Sequence, residues 1–374
     1  MTDAETQLGL YVVRALGRAG CTITAVGVNT PRGVLGFSSR HTRQRCRISG
    51  PEELWTALED LAPTHDVVVP VTTRSIQGLA RQPDGFASGL RRHIPCSEAI
   101  DVAKSKARTT ALAGAIGIPV PESFERLEPD TIEDWAQTSK VQLPLVVKFA
   151  DDAHPGVWSP ADRYRIVRSI DELSREYRRM HRVGPYPLVQ EYVEGGGYGF
   201  FAVTDSRGEP VVTFCHRRLR EYPITGGPST LCESVRDPVL IDLGTRLLRA
   251  LDWRGVAMVE FKRARDGQYR MLEINPRYWG SLPLALVCGV NFPQYQVELA
   301  LGRSPSQPAY LVGRKMRFFL PDLRAVVETA RRNGAASAFG TYLGELCDFS
   351  IKDGLFEVDD PWPFLTYVYS RLHR

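Results

Sequence analysis

The chain has 374 residues, 43% of them hydrophobic and 24% charged, with 47 basic against 43 acidic side chains and a formal net charge of +4. That length implies more than one domain, each with an ordinary core. The near balance of charge argues against the clustered basic excess of a nucleic-acid binder and leaves small anionic ligands as suitable partners.

In chain order, "LGLYVVRALGRAG" (Leu8 to Gly20) spaces its apolar residues as a helix does and stops on a glycine. "CTITAVGVN" alternates as a strand, "ELWTALEDLA" reads as a helix, and "HDVVVPVTT" reads as a buried strand ending in a polar loop. A connector and then a helix follow within "IPCSEAIDVAKSKARTTALAGAIGIPVPES". This alternation predicts a parallel α/β unit over roughly the first hundred residues. With no G-x-G-x-x-G present, dinucleotide binding is not expected. A doubly wound unit ordinarily opens with a strand, yet the first helix begins almost at Met1. Either that strand is missing or the natural start lies upstream.

From about Ser105 the pattern changes. "LPLVVKFA" is a strand, "SIDELSREYRRMHRVG" an amphipathic helix with an N-cap signal, and "YPLVQEYVEG" a strand leading into three glycines. "YGFFAVTDSRGEPVVTFCHRRLR" reads as a hairpin turning near Ser206-Arg207-Gly208. "PVLIDLGTRLLRALDW" and "FPQYQVELALGR" read as helices. Antiparallel strands mixed with helices predict an α+β body. The aromatic, proline-rich tail after Leu301 is expected to be a short extension packed on it.

"GVAMVEFKRARDGQYRMLEINPR" carries Asp266-Gly267, a strong hairpin signal. With that pair at the two turn positions, Glu260 falls opposite Glu273, Met258 opposite Asn275 and Phe261 opposite Leu272. Alternation then gathers Glu260, Glu273 and Asn275 on one face. Two opposed carboxylates repel, and burying them unpaired is unfavourable by several kcal/mol. A cation between them resolves this, and two carboxylates with an amide oxygen are hard ligands suited to Mg²⁺. Arg277, one step beyond, suits an anion near that metal. The competing reading is a solvated face in which Glu260 pairs with Lys262 and Glu273 with Arg270. The apolar "VAMV" and "MLEI" favour a central strand and the metal.

"VEF" followed by "LEINPRYWGS" resembles the metal signature of ATP-grasp ligases of the carbamoyl-phosphate-synthase-like, carboxylate–amine ligase group. The resemblance implies ATP and Mg²⁺ (or Mn²⁺) bound between two α+β lobes, behind an N-terminal Rossmann-like domain. The implied division is 1–103 for the Rossmann-like pre-ATP-grasp domain, 104–304 for the ATP-grasp domain with lobes of about 104–188 and 189–304, and 305–374 for a C-terminal extension. Lys106, preceding "GIPVP", matches the first phosphate lysine, although Ser105 replaces the usual aspartate and Lys104 competes for the role. Lys148 in "PLVVKF" matches the second. "VQEYVEG" matches the adenine hinge: Gln190 for the adenine amino group, the backbones of Glu191 and Val193 for its edge, and Glu194 or Glu191 for ribose. Glu260, Glu273 and Asn275 match the metal ligands, and Arg277 the arginine near the transferred phosphate. In place of the family's glycine-rich phosphate loop stands "ADDAHPGVWSPADRYRIV", with Gly156 as its one glycine.

"FCHRRLREYPITGGPSTLCES" crowds His216, Arg217, Arg218 and Arg220 ahead of a glycine pair. Simple alternation sets Arg218 and Arg220 on one face, where they suit a substrate carboxylate or acyl-phosphate; a solvated basic strand is the equal alternative. "TGGPST" is a candidate mobile loop. Tyr278, Trp279 and Ser281 are candidates for the same pocket, the aromatic pair being as well placed for a core. The other histidines, 41, 65, 93, 154, 181 and 373, fit no ligand spacing. No G-x-S-x-G is present and no cysteine has an obvious base, so a covalent protein nucleophile is not expected.

Seven scattered cysteines without a C-x-x-C argue against zinc or disulfide frameworks and for a reducing cytoplasm. No apolar run reaches the length of a membrane span, and the N-terminus lacks a signal-peptide pattern. The expected function is therefore ATP-dependent activation of a carboxylate as an acyl-phosphate and its joining to an amine, with small-molecule partners, neither nucleic acid nor membrane, and a homodimer as the family's common assembly. The alternatives are a small-molecule kinase on the same scaffold and a nucleotide-binding module without catalysis.

Overall fold

The computed structural model describes residues 1–30, 33–83, 85–149, 164–224, 226–333 and 335–372. Packing divides the chain into two compact units: Met1–Ile100 with Gly199–Met258 and Asn275–Arg374, and Asp101–Tyr198 with Val259–Ile274.

In the first unit, α1 (Gln7–Arg18) is capped by Thr6, whose Oγ1 accepts from Gly9 N at 2.9 Å. β1 (Ile23–Val28) pairs in parallel with β2 (Thr42–Ile48), and α2 (Leu54–Leu61) and α3 (Thr73–Ala80) follow. "HDVVVPVTT" forms a bridge of Val67 to Arg91, with Val68 N donating to Arg91 O at 3.0 Å. Residues 1–4 run beside β1 and the segment at Val69. Val26 N donates to Met1 O at 2.9 Å, Ala4 N to Val26 O at 3.0 Å, and Thr2 N to Val69 O at 3.1 Å. Asp3, at φ 59, ends this segment. Its carboxylate accepts from Val71 N, Thr72 N and Ser75 Oγ at the start of α3. A segment this short, interrupted by a positive φ, leaves no alternating pattern to read.

Seven strands form the largest sheet: β7 (Gly195–Thr204), β8 (Pro210–Glu221), β9 (Ser229–Val235), β10 (Gly255–Ala264), β11 (Tyr269–Asn275), β12 (Lys315–Arg317) and β13 (Lys352–Asp353), in the order β11-β10-β7-β8-β9-β12-β13. Helices α8 (Pro238–Ala250), α9 (Leu282–Val287) and α10 (Phe292–Ala300) belong to the first unit. Its principal core includes the fully buried Phe201, Phe214, Tyr278 and Trp279. The aromatic pair after "LEINPR" is thus core.

The tail is more elaborate than its composition suggested. It supplies β12, β13 and the helices α11 (Phe319–Asn333), α12 (Ala335–Leu346) and α13 (Trp362–Leu372). Met316 of β12 is fully buried and pairs with Cys232 of β9. Farther on, Asp360 accepts from Arg14 Nε at 2.9 Å, Ser39 Oγ at 2.7 Å and Arg40 N at 2.9 Å. Arg14 lies in the middle of α1 and is as buried as its apolar neighbours.

The second unit begins within α4 (Ser97–Lys104) and continues into α5 (Lys106–Ala115). Its sheet is antiparallel, in the order β3 (Ser123–Phe124), β6 (Leu188–Glu191), β4 (Leu145–Lys148), β5 (Tyr164–Val167). Helices α6 (Ile132–Thr138) and α7 (Ile170–His181) pack on it through Ile132, Ala136, Leu173, Tyr177 and Met180. The expected N-cap of α7 is Ser169, whose Oγ accepts from Glu172 N at 3.1 Å, while Glu172 accepts from Arg168 N at 2.7 Å. These two bonds satisfy backbone donors at the helix entrance.

Candidate active site

In the second unit, Lys148 ends β4 and Gln190 lies on the neighbouring β6. Lys148 Nζ donates to Gln190 Oε1 at 2.7 Å, and Gln190 Nε2 donates to Ser123 Oγ at 2.7 Å. Gln190 is 4% exposed, so both ends of its amide are matched where water is scarce. Ser123 was not singled out from the sequence: a serine after "PVPE" carries no pattern, and only the β3–β6 pairing sets it opposite Gln190.

The hinge residues follow on β6. Glu191 N donates to Glu122 O at 2.8 Å and Glu191 Oε2 accepts from Glu122 N at 3.1 Å. Val193 is buried, and Glu194 forms an exposed ion pair with Arg265 at 2.7 Å. Gly195 is required sterically, since a Cβ there would lie 2.0 Å from the Arg263 carbonyl oxygen.

Lys106 is the first residue of α5, and Ser105 is its N-cap, with Oγ accepting from Arg108 N at 3.3 Å. Serine in place of aspartate thus keeps a helix-capping role. Lys106 is only 9% exposed, and its Nζ lies 3.9 Å from Glu273 Oε2. A lysine so buried requires an anionic neighbour.

The hairpin carrying Glu260 and Glu273 turns one residue away from the expected register. Ala264 N donates to Gln268 O and Gly267 N to Ala264 O, both at 2.9 Å. The loop therefore holds Arg265, Asp266 and Gly267, with Gly267 at φ 81 as the extra, left-handed residue. Asp266-Gly267 are not the two central residues of a two-residue turn. Along β11, Tyr269 and Met271 are buried around a half-buried Arg270. Leu272 and Glu273 are then both half-buried, and Ile274 and Asn275 both buried, so the alternation lapses there.

In the first unit, Asn275 is 4% exposed. Arg277 folds back along its own chain, with Nη2 donating to Asn275 Oδ1 at 2.9 Å and Nη1 to Tyr278 O at 2.8 Å. Ser281, just before α9, meets His216 Nδ1 at 3.1 Å. Burial, reinforced by nearby Arg218, pushes the His216 imidazole down to about 3, so it is neutral near pH 7. The register of β8 on β9 shifts between Arg218, which faces Cys232, and Arg220, which faces Leu231, and is back in step at Glu221, which faces Ser229. Arg218 and Arg220 are both half-buried and alternate with the exposed Arg217 and Leu219, but they meet different partners. Arg220 is bidentate on the fully buried Asp322, at 2.9 and 2.7 Å, and reaches Glu345 at 2.5 Å. Arg218 donates to Gly227 O at 3.2 Å instead. The candidate loop "TGGPST" is shorter than expected, because Ser229 and Thr230 already belong to β9.

Of the other histidines, His93 meets Thr204 O at 2.6 Å, His65 meets Thr24 Oγ1 at 2.7 Å and His181 accepts from Tyr186 N at 3.1 Å. His154, His373 and the stretch 150–163 containing Gly156 lie outside the described residues.

Residues 185–317 match the family model described as ATP-grasp in the biosynthetic pathway with Ter operon. The chain is 28% identical over 213 residues to the carbamoyl phosphate synthase large chain of Methanoculleus marisnigri, covering 55% of this chain and 20% of that protein. It is 27% identical over 213 residues to the D-alanine–D-alanine ligase of Neisseria gonorrhoeae, covering 53% of this chain and 67% of that protein. The chain thus spans only about a fifth of the synthase relatives it matches. Among solved structures, the biotin carboxylase domain dimer of Hydrogenobacter thermophilus 2-oxoglutarate carboxylase, in complex with MgADP, ADP and bicarbonate, superposes with a TM-score of 0.63 at 16% identity. That match covers 84% of this chain and 72% of the other.

Proposed function

We propose that this ATP-grasp protein is an ADP-forming ligase that activates a carboxylate as its acyl-phosphate and joins it to an amine. The observation that carries the reading is Lys106, nearly buried yet facing Glu273, in the same unit as the Lys148–Gln190 pair. Two ammonium groups and a carboxylate in one unit suit polyphosphate with a cation.

Lys106 and Lys148 neutralise phosphate oxygens, and Gln190, the Glu191 carbonyl and Val193 hold adenine. Glu260, Glu273 and Asn275 offer hard oxygens for Mg²⁺ or Mn²⁺. Two of these already accept cationic partners, Glu273 facing Lys106 and Asn275 receiving Arg277, so the donor set fits a metal ion. The lapse of alternation at Leu272–Glu273 supports a one-residue slip that returns Glu273 to the side of Glu260. When bound, the ion supplies charge neutralisation at the phosphates.

A substrate carboxylate oxygen attacks the γ-phosphorus, the bond to the β–γ bridging oxygen breaks, and ADP leaves. The amine attacks the acyl carbon, phosphate departs, and the amine's surplus proton is lost to solvent. The residues mainly position groups and stabilise charge. Arg277 serves the transferring phosphoryl group. Arg218 and Ser281 remain as substrate-facing residues, whereas Arg220 is held by Asp322 and Glu345.

The first hundred residues read as the Rossmann-like pre-ATP-grasp domain. The side-by-side order β2, β1, residues 1–4, 67–69, then Arg91 supports this. Residues 104–304 are the ATP-grasp domain and 305–374 the extension. All seven cysteines are unpaired, which suits a reducing cytoplasm. No helix among the described residues is long and apolar enough to cross a membrane. The dimeric biotin carboxylase neighbour supports a homodimer.

A coupled ADP-release screen over paired acids and amines tests the reaction. ADP release requiring both substrates is expected, and abolished by Glu260→Ala with melting unchanged. A stable phosphorylated product formed without an amine would assign a kinase. ATP binding without ADP release would assign a non-catalytic module. Full turnover by folded Glu260→Ala would remove the metal assignment.

A further inference from the structure

β2 is the outer strand of its ladder, paired only with β1. Arg43, Arg45 and Arg47 of "TRQRCRI" are all exposed. The register on β1 shifts at Arg43 and is regular from Gln44 to Ile48, so Arg45 and Arg47 share a face at the ~6.7 Å repeat of alternate strand residues, with Arg43 beside them at the irregularity. Cys46 and Ile48 point the other way, and Ile48 packs with Leu54 and Leu58 of α2.

This positive charge is uncompensated, where several other exposed arginines meet carboxylates: Arg207 with Asp205, Arg217 with Glu233, Arg249 with Glu209 and Arg265 with Glu194. Among the described residues, Arg43 and Arg45 meet none. Arg47 is steadied by neutral groups, with Nη1 donating to Asn29 Oδ1 at 3.3 Å and its guanidinium 5.3 Å from the Phe37 ring centroid. The strand thus combines an outer edge that has no neighbouring strand among the described residues with a run of exposed positive charge.

An edge strand invites pairing, and charge on it restricts what can pair. A second copy of β2 would set arginine against arginine, which is unfavourable. A peptide strand with acidic side chains at alternate positions has the same pitch and the opposite charge. We propose that the outer edge of β2 docks an extended acidic segment of a partner polypeptide by strand addition. Backbone hydrogen bonds supply the pairing, and Arg45 and Arg47, with Arg43 beside them, select for acidic side chains on the docked strand. This surface is independent of the ligase chemistry.

Fluorescence anisotropy of the full chain with a labelled peptide of about twelve residues, alternating Glu and Thr, tests the proposal. At about physiological ionic strength we expect micromolar binding that weakens as salt rises. Arg43→Glu/Arg45→Glu should weaken binding by about tenfold or more, with melting temperature unchanged because both side chains are exposed. The same peptide N-methylated at alternate amides keeps its charge but not its donors, and should fail to bind. Equal binding of the methylated peptide, or tighter binding of a single-stranded oligonucleotide of matched charge, would overturn the proposal. So would undiminished binding by the charge-reversed variant, or no binding of the acidic peptide.

Discussion

Lys148 and Gln190 are joined across the β4–β6 ladder, Nζ to Oε1 at 2.7 Å, while Gln190 is held from behind by Ser123. The amide carbonyl fixes where the ammonium sits. Lys148→Met should lower kcat/KM for ADP release by about a hundredfold or more, a loss of about 2.7 kcal/mol of transition-state stabilisation. Gln190→Leu, which keeps the lysine but frees it, should raise KM for ATP about tenfold with a smaller change in kcat. Steady-state kinetics separate the two, and a Gln190→Leu chain that merely melts earlier, with unchanged KM, would reduce Gln190 to a packing residue.

Arg14 and Asp360 are an ion pair at 1% exposure on each side, and both belong to the first unit. Removing Asp360 leaves the buried Arg14 with Glu357 as its carboxylate, 3.3 Å from Nε, and unmatches the Ser39 and Arg40 donors, a loss of about 3 kcal/mol. Asp360→Ala should therefore be strongly destabilising in urea unfolding followed by the fluorescence of buried Trp253 and Trp279. Arg14→Met/Asp360→Ala together should be destabilised by less than the sum of the single changes. Additive losses would show that the two side chains do not act as a pair.

His216 has its proton affinity depressed from the ordinary 6.5 to about 3 by burial and by Arg218. Below pH 6.5 the unfolded chain takes up a proton that the folded chain refuses. This contribution to stability is therefore complete above pH 6.5 and is lost as pH falls toward about 3, by about 1.4 kcal/mol per pH unit. Between pH 7 and pH 5 the parent should lose about 2 kcal/mol more than His216→Gln in urea unfolding. Parallel losses would mean that His216 titrates normally in the folded state.

Much of the site was legible because its residues sit in short segments whose periodicity is local. Lys148 closes an apolar strand, Gln190 precedes a glycine run, and Glu260, Glu273 and Asn275 flank a hairpin turn. The turn itself was misjudged by one residue, because Asp-Gly serves a two-residue turn and a three-residue loop with a left-handed glycine equally well. That Arg220 and Arg218 meet different partners was not visible in the sequence, because Asp322 and Glu345 lie far along the chain from Arg220. The pairing of residues 1–4 was invisible because it depends on Val26 and Val69, not on their own pattern.

Taken alone, the sequence determined the fold class, the helices with strong periodicity and caps, and the chemistry available, since side-chain type and local spacing are properties of the chain itself. Tertiary structure decided which charges are committed. Arg220 is bound to Asp322, Arg14 to Asp360, and Lys106 faces Glu273, while Arg43 and Arg45 meet no carboxylate among the described residues. Those pairings span tens to hundreds of residues, and burial alone turns such a charge from a solvated group into one that requires a partner.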